Sequence, residues 1–151
     1  MKKYGNYFAM VLTSTLIMYA LMYSTVFQWN HLFFSEMRTY MGVYMGATMA
    51  IVMLFFMRHM YTNKKANIAI YLVSALLIAG SLWMARSQQF VDDVDYMQAM
   101  IPHHSIAILT SERAQITDPR VEKLSQEIIK AQRREIEEMK KLIDDLKEEE
   151  D

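Results

Sequence analysis

The chain has 151 residues, no cysteine and a formal net charge of −1, yet its charges are divided unevenly. Residues 1–86 carry a net charge of +6 and residues 87–151 a net charge of −7, which is typical of a protein that occupies both lipid and water. The absence of cysteine excludes disulfides, thiolate metal sites and cysteine nucleophiles, and the acidic second half argues against a nucleic-acid partner.

Three apolar segments without internal charge occupy the first half of the chain, at 7–27, 40–57 and 68–85. A helix needs about 20 mostly apolar residues to cross a bilayer. The first segment has no clear small-residue cleavage site, so it is interpreted as a retained anchor and not as a signal peptide. The sequence therefore predicts a three-helix transmembrane anchor over residues 1–86.

The short loops between these segments predict the orientation of the anchor. Five basic residues fall on the side of the N-terminus and two on the other side, the five being Lys2, Lys3, Arg58, Lys64 and Lys65 and the two being Arg38 and Arg86. Basic loops stay in the cytoplasm. We therefore expect a bacterial inner membrane protein with a cytoplasmic N-terminus and a periplasmic or extracellular domain over 87–151. His31 and His59, one near each membrane face, are expected to be solvated.

The second apolar segment combines small residues with a row of methionines. Gly42, Gly46 and Ala50 form a small-xxx-small series, which lets helices approach closely. The methionines recur at every fourth position: Met37, Met41, Met45, Met49, Met53 and Met57. Thioethers can bind copper(I), so one interpretation is a ladder that passes copper along the membrane. Adaptable apolar packing explains the same row, and it is the favoured interpretation.

The second half of the chain predicts an antiparallel helical hairpin, with helices over about 88–115 and 119–147. Apolar residues recur in both at spacings of three and four; the seams are Phe90, Val94, Met97, Ile101, His104 and Ile108, then Ile129, Gln132, Ile136, Met139, Ile143 and Leu146. Thr117-Asp118-Pro119 predicts the turn, because Pro is favoured at the first helical position. Pro102 predicts a kink, and the third span is expected to continue directly into the first helix.

The fold class predicted for the whole chain is all-α. Two helices joined by a short turn cannot bury their apolar faces fully, and a four-helix bundle is the usual solution. We therefore expect a homodimer or a larger even-numbered homo-oligomer, in which a second copy completes the bundle.

A candidate metal site lies across the two seams. Met97, Met100 and His104 share one helical face, and His103 is turned about 100° away. The second helix offers Gln132, Glu135 and Met139 at spacings of three and four. Imidazole with thioether suits copper, as copper(I) or copper(II), and a polar neighbour such as Gln132 can orient a histidine ligand. The alternative is a buried core histidine that hydrogen-bonds to Gln132 or Glu135.

The run Met100-Ile101-Pro102-His103-His104, followed by Gln132, Glu135-Ile136 and Met139, resembles the signature of the family called domain of unknown function 305, over about residues 88–146. The resemblance implies a ferritin-like helical bundle and a link to copper binding and copper tolerance in the bacterial envelope. It implies Met100, His103, His104 and Met139 as ligands, supported by Gln132 and Glu135. Ser105 and Thr110 depart from the family pattern of Gln and Met, which removes one sulfur from the expected ligands.

The leading hypothesis is a membrane-anchored copper-binding protein for storage, buffering or tolerance, served by copper-handling partner proteins. The alternative is a structural oligomer whose histidine pair is a polar core element without a metal role. A di-iron enzyme needs several inward Glu and Glu-x-x-His pairs, which this chain lacks. No catalytic residue or enzymatic activity is expected.

Overall fold

The computed structural model describes residues 2–150, with the side chains of residues 3–149, and this part of the chain is all-α, as predicted. It contains no strand among the described residues. The helices, in chain order, are α1 (Lys2–Leu21), α2 (Glu36–Phe56), α3 (Lys64–Ser87), α4 (Asp93–Arg113) and α5 (Pro119–Glu150), with one turn of 3₁₀-helix at Trp29–His31.

The chain forms two compact units, and each unit is made of two separate stretches of the sequence. The anchor unit comprises the residues up to Met22 and Met37–Phe90, and therefore contains α1, α3 and all of α2 except its first residue, Glu36. The hairpin unit comprises Tyr23–Glu36 and the residues from Val91 on, and therefore contains α4 and α5. We call Tyr23–Glu36 the strap, because this connection between α1 and α2 belongs structurally to the hairpin.

Small residues bring α1 and α2 together in the anchor unit. A Cβ atom on Gly46 would lie 2.6 Å from Thr15 Oγ1, and one on Gly42 would lie 3.1 Å from Tyr19 Cδ2. A side chain at Gly46 would therefore force Thr15 or the two helices to shift. This is the close helix approach that the small-xxx-small series predicts.

The methionine row of α2 passes through different environments. Met53 and Met57 pack against the buried cluster around Leu54, whereas Met37 and Met41 are exposed in the isolated chain. The Met37 sulfur also accepts a long hydrogen bond from Gln88 Nε2, at 3.8 Å. This variety matches apolar packing better than a uniform ladder of ligands.

Two helices of the anchor unit, α2 and α3, are long and apolar enough to cross a membrane by length and composition. Within the described residues α1 does not reach the same standard, so the third predicted span stays a prediction. Its polar positions include Asn6 and the run Thr13-Ser14-Thr15. The helix also ends at Leu21, whereas the sequence predicted a span to residue 27; the Phe27 amide instead donates to the Ser105 hydroxyl.

The prediction that the third span continues into the hairpin is wrong, because capping interactions separate α3 from α4. Gln88 adopts the left-handed conformation (φ 53°) and its amide donates to the Met84 carbonyl, which closes α3. The Asp92 carboxylate accepts the Asp95 amide at 2.8 Å, which opens α4. Residues 88–92 therefore lie outside both helices, and α4 begins five residues after the predicted start at 88.

The hairpin turn follows the local sequence closely. Pro119 is the first residue of α5, and Asp118 Oδ1 accepts the Arg120 amide at 2.8 Å. The residue before the helix thus satisfies one of the amides that an α-helix leaves without an internal partner. Earlier in the chain, α4 continues as a helix through Pro102, and this proline is fully buried.

Aliphatic side chains from both helices form the core of the hairpin unit. Ile101 and Ile108 of α4 meet Ile136 and Ile143 of α5, and all four are buried. Phe27 and Phe33 of the strap pack against the same cluster. The strap is therefore a third layer over the hairpin, and completion of a four-helix bundle by a second copy stays a prediction.

Candidate functional site

His104 connects the two helices of the hairpin at the predicted site. Its Nδ1 donates to the Met100 carbonyl at 2.9 Å, one turn earlier in α4. Its Nε2 lies 2.9 Å from Glu135 Oε2 on α5. The imidazole is 14% exposed and the carboxylate 38% exposed. Of the two polar partners that the sequence offered for His104, Glu135 therefore makes the contact.

The hydrogen atoms at His104 follow from its partners. A carbonyl oxygen only accepts, so Nδ1 must carry a proton. The contact between Nε2 and Glu135 then requires one further proton, carried either by the imidazole or by the carboxyl group. Once that proton leaves, Nε2 offers a lone pair while the backbone carbonyl still fixes the ring. A backbone carbonyl that fixes one ring nitrogen in this way is typical of a histidine that can bind a metal through the other.

A cleft beside this pair contains two of the predicted sulfur ligands. Its volume is about 470 Å³, and Met97 of α4 and Met139 of α5 lie in its wall together with Glu135. The other residues of the wall are Asp93, Tyr96, Glu138, Leu142 and Leu146. Glu135 therefore belongs both to the pair with His104 and to the cleft wall that contains the two thioethers.

The remaining predicted site residues have different surroundings. His103 is exposed, with its ring centroid 6.4 Å from that of His104. Met100 contributes its carbonyl to His104, and its side chain is half-buried, as is Gln132. Among the described side chains, no group of three or more His, Asp or Glu residues is arranged to hold a metal ion.

Two residues of the hairpin unit that the sequence did not select form a buried contact beside His104. Ser105 is completely buried, and its Oγ accepts the Phe27 amide at 2.7 Å and lies 3.0 Å from His31 Nδ1. The expectation that His31 is solvated is wrong, since its exposed fraction is 5%. His59 is exposed, as expected. The aromatic residues of the strap are the feature of the sequence that could have predicted this contact, because Phe27 and Phe33 pack against the hairpin core.

The strap histidine lies in an environment that disfavours its charged form. Burial lowers the pKa of His31, and the positive charge of Lys140 on α5 lowers it further, while Glu137 acts in the opposite direction. A cavity of about 260 Å³ remains beside it, with Arg133 also in the wall. His31 is therefore a neutral ring at neutral pH, and it serves as a hydrogen-bonding partner of Ser105.

Acidic residues gather where α4 begins. Burial raises the pKa of Asp95, and the nearby carboxylates of Asp92 and Glu36 raise it further, while a hydrogen bond from the backbone amide of Asp92 to the Asp95 carboxylate lowers it. Asp93 lies in the wall of the cleft that contains Met97. Glu135 and Glu138 lie in the same wall, so three carboxyl groups line the cleft, which favours the approach of cations.

Comparison with known proteins identifies the hairpin. Residues 92–151 match the family model described as domain of unknown function (DUF305). "Uncharacterized protein L153" of Acanthamoeba polyphaga mimivirus is 33% identical over 110 residues, which cover 72% of this chain and 70% of the viral protein. That similarity is longer than the family match, so it extends into residues before 92. No solved structure matches the chain. The chain therefore belongs to the DUF305 family, and the matched residues include both helices of its hairpin.

Proposed function

We propose that the protein binds copper in the cleft of its hairpin unit, where His104, Glu135, Met97 and Met139 hold the ion. The observation that carries this proposal is the double position of Glu135, which contacts His104 Nε2 and lies in the same wall as Met97 and Met139. Thioether sulfur favours copper(I), and imidazole with carboxylate favours copper(II). A site with both kinds of ligand can accept either oxidation state, which suits storage, buffering or tolerance. Copper-handling partner proteins would load and empty it.

The anchor unit supports a place at a membrane. The helices α2 and α3 have the length and composition of membrane-spanning segments, and most of the large apolar side chains of α3 are exposed in the isolated chain. With α1 as a third span, the excess of basic residues on the N-terminal side orients the hairpin outward. The proposed location is the bacterial cell envelope, with the acidic hairpin in the periplasm or outside the cell.

A structural role is the second candidate, and the geometry of His104 favours it specifically. Both ring nitrogens already make hydrogen bonds, one to Met100 and one to Glu135. A partly buried pair of this kind can specify how two helices align without any metal. In that case His104 and Glu135 would stabilise the hairpin, and oligomers built from it, as a polar element of the core.

Two neighbouring histidines provide the test of the copper proposal. The full-length protein would be purified in detergent and its bound copper, zinc and iron measured after exposure to each metal. His104→Ala should lose the stoichiometric copper, because it removes the imidazole that pairs with Glu135. His103→Ala is the matched control from the exposed neighbouring position, and it should retain the copper because His103 is not among the proposed ligands.

The same variants distinguish the structural role. If His104 is only a core element, the wild type should bind no more copper than His104→Ala, and the variant should unfold more easily or lose its oligomeric state. Copper that is retained by a folded His104→Ala variant would also contradict the proposed ligands. Loss of copper with an unchanged unfolding temperature supports the copper proposal.

A further inference from the structure

Ser105 lies at a junction between the strap and the hairpin, immediately after His104. It is completely buried within α4. Its Oγ lies 2.7 Å from the Phe27 amide nitrogen and 3.0 Å from His31 Nδ1. A serine hydroxyl has one donor and two acceptor positions, so it can accept from Phe27 and still donate to, or accept from, the His31 ring.

Two other hydroxyl groups in the helices, those of Thr110 and Ser81, bond locally instead. Thr110 Oγ1 donates to the Ile106 carbonyl at 3.0 Å, and Ser81 Oγ donates to the Leu77 carbonyl at 2.6 Å, both one turn back in their own helix. This is the usual local bond of a serine or threonine inside a helix. The hydrogen bonds of Ser105 instead go to residues 78 and 74 positions earlier in the chain. The hydroxyl therefore holds two separate segments together.

The strap reaches both helices of the hairpin. On α4 it is bonded to Ser105, and on α5 it lies beside Ile136 and Glu137, which share a cavity wall with Phe27 and His31. Phe33 also packs against the core that the two helices form. A change in the position of the strap would therefore change the separation of α4 and α5. That separation determines the distance between His104 and Glu135.

We propose that Ser105 is a positioning residue for the His104–Glu135 pair, and that the strap acts on the pair through Phe27 and His31. The backbone of one helical turn carries the Met100 carbonyl, His104 and Ser105 together. A movement of this turn displaces the imidazole relative to α5. The part of this proposal that concerns metal affinity rests on the proposed copper function, whereas the effect on the pair itself does not.

The expected size of the effect follows from other metal sites. Loss of a residue that orients a ligand typically lowers metal affinity 10- to 100-fold while the ligands remain. Ser105 acts on His104 only through the helix backbone, so Ser105→Ala should lower copper affinity by about 10-fold, at the lower end of this range, without changing the number of ions bound. His31→Phe should have the same effect, because it keeps an aromatic ring in the strap and removes the nitrogen that faces Ser105.

Two variants serve as matched controls. Thr110→Ala removes a hydroxyl from the same helix, at an exposed position where the hydroxyl donates to the Ile106 carbonyl one turn earlier. His31→Asn keeps a polar group at nearly the reach of Nδ1 and should restore the contact with Ser105. Both controls should therefore resemble the wild type.

The first readout uses the metal-free, full-length protein in detergent, labelled with ¹⁵N at histidine. The chemical shifts of the His104 ring nitrogens report the hydrogen bonds of the pair directly, and a general loss of stability in a folded protein does not move them. Copper affinity, measured by competition with a chelator, is the second readout. Circular dichroism establishes that each variant is folded.

The proposal is supported if the His104 ring shifts change in Ser105→Ala and His31→Phe but not in the two controls. It is overturned if the ring shifts of folded Ser105→Ala and His31→Phe coincide with those of the wild type, or if Thr110→Ala changes them equally. Should Ser105→Ala fail to fold, the His31→Phe and His31→Asn pair decides the question. A wild type that binds no copper would refute the proposed function, and the ring shifts would still decide the role of Ser105.

Discussion

Large apolar side chains lie mainly on the outside of the anchor unit, whereas in the hairpin unit they form the interior. On α3, Leu72 and Leu76 are 61% and 72% exposed, while the small Ser74 and Ser81 are buried. In the hairpin the pattern is reversed, with Ile101 and Ile136 at 0% and 1%. Water drives apolar side chains inward, but in lipid that force is absent and helices associate through small residues. The contrast supports two different solvents for the two units.

The largest expected effect is that of a substitution in the core of the hairpin unit. Ile136→Ala removes a side chain that is buried between α4, α5 and the strap. Such a change in an aqueous core costs about 2–5 kcal/mol. Thermal unfolding followed by circular dichroism should therefore show a clearly lower transition for the hairpin. Leu142→Ala, from an exposed position on the same helix, is the control, and an equal loss in both would contradict the assignment of the core.

A charged residue placed on the outside of each unit tests whether lipid surrounds the anchor unit and water surrounds the hairpin unit. Leu76→Arg should impair membrane insertion, because arginine near the centre of a membrane-spanning helix costs about 2.5–3.5 kcal/mol. Leu124→Arg, on the exposed surface of α5, should be nearly neutral. The measurement is the fraction of protein recovered in membranes after expression. Equal recovery of both variants would argue against lipid around α3.

A substitution at the close contact between α1 and α2 should have a smaller effect on the stability of the protein. Gly46→Ala would place a Cβ atom 2.6 Å from Thr15 Oγ1, so the helices must separate or the threonine must change its rotamer. Overpacking of this kind costs about 1–3 kcal/mol. Gly80→Ala has open space around it and should be neutral or slightly stabilising. Unfolding of both variants in detergent distinguishes them, and an unchanged Gly46→Ala protein would contradict the helix contact.

The smallest expected effect is a pH dependence of the hairpin unit. Because the pKa of His31 is lowered in the folded protein, the unfolded chain binds more protons once the pH falls below about 6.5, the ordinary value for histidine. The contribution of His31 to stability is therefore present above that pH and decreases below it, until the pH reaches the lowered pKa. Ser105, Lys140 and Glu137 face this ring.

Comparison with His31→Asn isolates this contribution. The unfolding temperatures of the wild type and the variant should move apart as the pH changes between 7 and about 5, with the wild type losing relatively more stability in acid. Parallel curves over this range would mean that His31 titrates normally, and would contradict its buried position.

Local rules predicted much of the hairpin, because its elements depend on neighbouring residues. The start of α5 at Pro119 follows from a capping aspartate and a proline, and the seam through Ile101, Ile108 and Ile136 follows from helical periodicity. The pairing of His104 with Glu135 was one of two open alternatives. The choice depended on the exact rotation of two helices, which periodicity alone does not determine.

The strap could not be predicted in the same way. Its residues have no periodic pattern, and it contains only one short turn of 3₁₀-helix. Its structure depends on contacts with Ser105 and the core that are more than 70 positions away in the chain. The predicted first span extended to residue 27 for the same reason: Phe27 is apolar enough for lipid, but its amide and ring are bound by the hairpin.

The most direct test of the proposed function is X-ray absorption at the copper edge of the copper-loaded, full-length protein. The account predicts one imidazole, together with sulfur from methionine, in the copper coordination shell, and loss of that signal in His104→Ala. A shell of nitrogen and oxygen alone, or copper that remains unchanged in His104→Ala, would contradict a site in the cleft between Met97 and Met139.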